Sequence, residues 1–173
     1  RENGKLLRRW GCQENYLALT FGIASASQRD SIVKRLKSED LLSYFTACDD
    51  DYDEPLWSMG IALSTYRWDD EAMVPLGTPF FASWALSALF EGGMGFEALE
   101  MIRKHWGNYA SCGASTTWEL WDRQGSLSHG WGACVTVVLS NYILGVDQQG
   151  GSLKELEILP QRIDLTRATG RVP

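Results

Sequence analysis

Two short segments hold the residue types that could do chemistry: Gly113 to Asp122 (GASTTWELWD) and Ser126 to Gly132 (SLSHGWG). Between them they carry one imidazole, His129, three indoles, Trp118, Trp121 and Trp131, and the carboxylate Glu119 set between two of those indoles. Apolar walls desolvate a carboxylate, which suits it to general acid or base work. Indole faces stack on the C–H faces of a sugar. The competing reading is a Glu on a surface turn with Trp118 and Trp121 packing inward. The residues alone leave both readings open. Asp122 follows Glu119 by three positions, and on a helix the two Cβ atoms would lie roughly 5–6 Å apart. An inverting glycosidase needs about 6.5–9.5 Å between its carboxyl groups, to admit water. A partner acid must therefore come from elsewhere in the fold.

Other chemistry is weaker. Neither G-x-x-x-x-G-K-[ST] nor a strand-linked G-x-G-x-x-G is present, so phosphate cradling is not supported. Asp49-Asp50-x-x-Asp53 has the spacing of the Mg²⁺–diphosphate motif of terpenoid synthases, but Pro55 and the dense acidic run point to a solvated loop. His105 sits in the last turn of a predicted helix, where a surface or capping His is common. Nothing in the spacing brings it to His129, so no metal site is expected. Cys12, Cys48, Cys112 and Cys134 form no C-x-x-C pair, and so few cysteines in 173 residues do not make a disulfide scaffold. They leave the compartment open.

These segments need helices to hold them. The chain carries 16 Lys and Arg against 22 Asp and Glu, a net charge of −6. That balance argues against a nucleic-acid partner and against adsorption to an anionic membrane. Hydrophobic residues are 45% and charged residues 22%, an ordinary globular composition for one domain. Eight Trp are unusual. They read first as core and second as stacking faces. Thr78 and Pro79 open a helix apolar all round, with Phe81, Trp84, Ala85, Ala88 and Leu89 on one face, and Glu91-Gly92-Gly93 ends it. Phe96 to Trp106 follows as an amphipathic partner with the stripe Phe96, Leu99, Ile102 and Trp106. A third helix is predicted over Ser128 to Leu144. Weaker ones are predicted over Gln13 to Phe21, Ser27 to Lys37, where Ser27 and Asp30 have capping-box spacing, and Leu56 to Trp68. The fold class is all-α, with about six helices in hairpins. The tail differs: Leu156 to Ile158 and Ile163 to Leu165 alternate as short strands. An isolated pair of strands is marginal, so partners outside the chain are expected. The charge-free run Gly130 to Val146 is short for a membrane span.

At these residues the sequence resembles the α-L-rhamnosidases of glycoside hydrolase family 78. The resemblance rests on Thr78 to Phe90 (TPFF…LF), Ala98 to Arg103, GASTTWELWD, SLSHGW, Tyr142 to Val146 (YILGV), and the tail from Leu156 to Pro160 with Gly170 to Pro173. It implies part of an (α/α)6 toroid and inverting hydrolysis of terminal α-L-rhamnosyl groups. Residues 1–147 would be the C-terminal portion of the catalytic domain, and 148–173 the start of a C-terminal β-sandwich. It also implies Glu119 as general base, with Trp118, Trp121, His129 and Trp131 lining the sugar pocket and no cofactor. The family's general acid lies upstream, in a part of the barrel this chain lacks, and Leu41 to Gly77 departs from the pattern. The chain opens Arg1-Glu2-Asn3-Gly4 without Met, as a processed or excised piece would. The missing N-terminal half of the toroid is thus the expected partner, and the helix over Thr78 to Glu91 should leave an apolar face bare without it. Two alternatives stay open. One is another toroid glycosidase, such as an unsaturated glucuronyl hydrolase. The other is a non-catalytic, carbohydrate-binding helical scaffold.

Overall fold

The apolar run after Thr78 becomes the helix on which the rest packs. In a computed structural model, the residues described are 10–38, 73–74, 78–121, 125–147 and 157–171. The acidic run 48–54, the expected helix Leu56 to Trp68, the carboxylate of Asp122 and the proposed domain boundary at 147/148 with the residues after it to 156 lie outside them.

The elements in chain order are β1 (Trp10–Gly11), α1 (Cys12–Thr20), α2 (Ala26–Ser38), β2 (Met73–Val74), α3 (Pro79–Glu91) and α4 (Gly95–Ser111). A 3₁₀ turn (Gly130–Ala133), α5 (Cys134–Val138), a π turn (Leu139–Ile143), β3 (Val146–Asp147) and β4 (Glu157–Ile158) follow. The described chain is thus mainly helical, with two ladders of two-residue strands. β1 pairs parallel with β2, and β3 pairs antiparallel with β4.

Pro79 takes the first helical position of α3, as its fixed φ allows. Thr78 occupies the cap position in extended backbone, yet its side chain makes no capping bond. Ala82, Ala85, Leu86, Ala88, Leu89 and Phe90 are all buried. This nearly continuous burial follows from α3 touching α1, α4, α5 and the 3₁₀ turn. Two bonds tie the N-terminal helices to it. The Thr20 hydroxyl donates to the Trp84 carbonyl at 3.2 Å, and the Arg29 guanidinium donates to the Glu91 carbonyl at 2.9 Å. The second places a cation on an orphan carbonyl at a helix C-terminus, where it is favoured.

Four expectations are corrected here. The α2 cap is Ser25 with Gln28, whose side-chain oxygen accepts from the Ser25 N–H at 2.9 Å, rather than Ser27 with Asp30. The buried face of α4 is Ala98, Leu99, Met101, Ile102, His105 and Tyr109, so Leu99 and Ile102 of the expected stripe are buried and Trp106 is partly so, while Phe96 is exposed. A helix turned to bury those positions carries Phe96 outward whatever its hydrophobicity. The third helix is not one regular α-helix. Gly130 and Gly132 open it as a 3₁₀ turn, and it ends as a π turn in which Leu144 N–H reaches back to Leu139 O at 3.0 Å. Ser140 donates to the Thr136 carbonyl at 2.9 Å, a back-bond that competes with the regular ladder. Lastly, Glu157 and Ile158 find their partner within the chain, on Val146 and Asp147, and Ile163 to Leu165 forms no strand.

Candidate functional site

The site begins where α4 ends. Ala114 N–H returns to Tyr109 O at 2.9 Å, and the chain then doubles back along α4. Two indoles anchor it from below. Trp118 packs on Tyr109 with ring centroids 4.6 Å apart. Trp121 stacks on His105 at 4.4 Å and meets Trp106 edge-on at 5.0 Å. The Tyr109 hydroxyl donates to the Leu120 carbonyl at 2.9 Å. Trp118 and Trp121 are 4% and 3% exposed. Here the structure departs from the expected sugar walls: these two rings are buried against the α4 face and offer a ligand almost no surface. His105 departs too. It is a core residue, not a surface or capping one, and burial, with a smaller effect from Lys104, pushes its pKa down to about 4.

With the indoles turned in, Glu119 turns out. The segment 126–132 crosses above it. His129 N–H donates to Thr117 O at 2.8 Å, and the Thr117 hydroxyl donates to His129 O at 2.9 Å. The Thr116 hydroxyl also donates to Leu127 O. Glu119 itself is gripped three times from this segment. Its N–H donates to Ser126 O at 2.8 Å. Its carboxylate Oε2 accepts the Ser126 N–H at 2.9 Å. Its carbonyl accepts the Trp131 indole N–H at 3.0 Å. Oε1 accepts no hydrogen bond from any described residue.

The carboxylate therefore has one fixed oxygen and one open oxygen. Glu119 is 35% and His129 32% exposed at the side chain, and His129 Nδ1 lies 3.8 Å from Glu119 Oε2. That is beyond hydrogen-bond length but within ion-pair reach. The His129 and Trp131 rings pack at 4.0 Å. Trp131 also meets Phe80 at 5.1 Å, and Phe80 meets Trp84 at 5.5 Å. Phe80 is 49% exposed. A carboxylate, an imidazole and an aromatic row thus share one solvent-facing surface.

Comparison with protein-family models, with curated proteins and with solved structures finds no match. The site is therefore read from its own geometry. Of the residues expected in it, Glu119, His129 and Trp131 come together, while Trp118 and Trp121 sit behind them. Thr117, Ser126 and Gly132 were not singled out by sequence, yet they make the crossing. A Cβ on Gly132 would stand 2.8 Å from Thr117 Cβ and 2.9 Å from Trp118 O. The one signal for it was a Gly inside a predicted helix, which normally costs stability and so asks for a packing reason. Among the described residues, no three His, Cys, Asp or Glu gather around a point that could hold a metal ion.

Proposed function

We propose that this chain is the base-bearing part of an inverting glycosidase resembling the α-L-rhamnosidases, with Glu119 as general base. The observation that carries the reading is the state of the Glu119 carboxylate. Oε2 is fixed by the Ser126 N–H and lies 3.8 Å from His129 Nδ1, while Oε1 accepts no hydrogen bond from any described residue. A general base needs that combination: a set direction and an oxygen free to take a proton from water.

The chemistry follows from the neighbours. Glu119 Oε1 takes the proton of a water attacking the anomeric carbon. His129 offers a ring nitrogen to a sugar hydroxyl. The partly exposed ring of Trp131, packed against the exposed Phe80, suits the apolar methyl and C–H face of a deoxy sugar. Trp118 and Trp121 support the loop instead of lining the pocket. The general acid must stand across the sugar, about 6.5–9.5 Å from Glu119, to leave room for the water. In this reading it is supplied by the other half of an (α/α)6 toroid, of which the α3–α4 hairpin is one unit. The segment after β3 then leads into a β-sandwich.

The test is Glu119→Gln in the full-length natural protein, assayed on a chromogenic α-L-rhamnoside. The amide keeps the Ser126 contact and removes the base. The expected result is a kcat lower by about 10²–10⁴-fold with an unchanged melting curve. An unaltered kcat ends the assignment.

A further inference from the structure

We propose that Trp131 is a positioning residue that acts on Glu119 through the backbone, beyond any contact its ring makes with a ligand. The inference rests on Glu119 being the general base.

A half-buried Trp N–H requires an acceptor. Here that acceptor is the main-chain carbonyl of Glu119 itself, at 3.0 Å. The ring is not free to drift. Phe80 packs on it at 5.1 Å and His129 at 4.0 Å. Its own backbone is pinned one residue on, where Gly132 O accepts the Trp106 indole N–H at 2.7 Å. Trp106 belongs to α4, the same helix that seats Trp121 under the Glu119 loop. The Trp131 indole therefore acts as a strut from a fixed framework to the peptide that carries the carboxylate.

Without that strut, Glu119 keeps only its two bonds to Ser126. With its carbonyl unanchored, the Glu119 backbone can shift and carry its side chain, Oε1 included, out of line. A small displacement of a reacting group can cost about 10²-fold in rate. The same indole also packs against His129, so one side chain sets the mutual placement of the carboxylate and the imidazole.

The experiment separates the N–H from the ring. In the full-length protein, Trp131 is replaced by benzothienylalanine, which keeps the bicyclic ring and has sulfur in place of the N–H. Trp131→Phe is made alongside it. The expected result for both is a kcat lower by about tenfold or more, and for the isostere a KM within about twofold, because the ring face is intact. Melting curves report whether the variants fold, and the isostere serves where Trp131→Phe does not. If the isostere keeps kcat within about twofold while Glu119→Gln loses it, Trp131 is only a wall and the inference fails. A raised KM with kcat intact overturns it in the same way. If Glu119→Gln also leaves kcat unchanged, the glycosidase reading itself has failed.

Discussion

Gly132 shows how one small residue decides whether Glu119 can be held at all. The two loops cross at this point, and the nearest atoms to an added methyl group would be Thr117 Cβ and the Trp118 carbonyl oxygen, both inside 3.0 Å. Neither can swing away, since Thr117 is bonded to His129 from both its carbonyl and its hydroxyl. Gly132→Ala should therefore cost about 1–3 kcal/mol as overpacking and lower the denaturant midpoint. A midpoint within error of the parent would mean that the crossing is looser than these distances require. The residue types able to do chemistry are legible in sequence: Glu119, His129 and Trp131 stand out by type, and the structure brings them together. Thr117, Ser126 and Gly132 were not, because they act mainly through backbone groups or through the absence of a side chain. Contacts of that kind leave little signature in residue type.

At the scale of elements, α3 and α4 were readable from periodicity, and the short Gly loop between them joins them as a hairpin. Hydrophobicity places Leu99 and Ile102 on the inward face of α4 correctly, but it ranks Phe96 above His105. Geometry ranks them otherwise: His105 falls between Ile102 and Tyr109 on the buried stripe and receives Trp121. This has a pH consequence. Folding holds His105 neutral, with a pKa pushed down to about 4 from the ordinary 6.5. As pH falls, the unfolded chain takes up the proton first. The stability that neutral His105 contributes is thus complete above about 6.5, and it is lost progressively between there and about 4. A shift of this size corresponds to about 3 kcal/mol. His105→Phe keeps a ring against Trp121 and removes the titration. Its urea midpoint should fall less between pH 7 and pH 4.5 than that of the parent. Parallel midpoint–pH curves would show that His105 is not what acid attacks. The irregular winding from Gly130 to Ile143 was not legible, because the apolar period is helical throughout. Only the Gly and Ser backbone effects break it.

For the whole molecule, the question is what fastens the segment after β4 to the helices. Two kinds of contact compete for the answer. One is ionic. Arg103 holds Asp164 at 2.9 Å and Glu100 at 2.5 Å, but these side chains are 36–43% exposed, and such pairs contribute little. The other is main-chain. Leu159 N–H donates to Gly145 O at 2.8 Å, and Gln161 N–H donates to Tyr142 O at 2.9 Å. Tyr142 in turn stacks on Phe90 of α3 at 4.7 Å, and Ile163 packs against the core. Gly145 is the keystone of the second set. Its φ is +72°, and a Cβ there would stand 2.1 Å from Pro160 N and 2.3 Å from Leu159 C. Backbone atoms cannot yield as a flexible side chain does. Gly145→Ala should then release the segment, lower Tm by several degrees and expose residues 157–165 to limited proteolysis. Arg103→Ala should leave both nearly unchanged. The reverse ranking, with Arg103→Ala freeing the segment and Gly145→Ala tolerated, would mean that the tail is held by charge. Raising the salt concentration would then loosen it, since exposed pairs are screened while main-chain bonds are not.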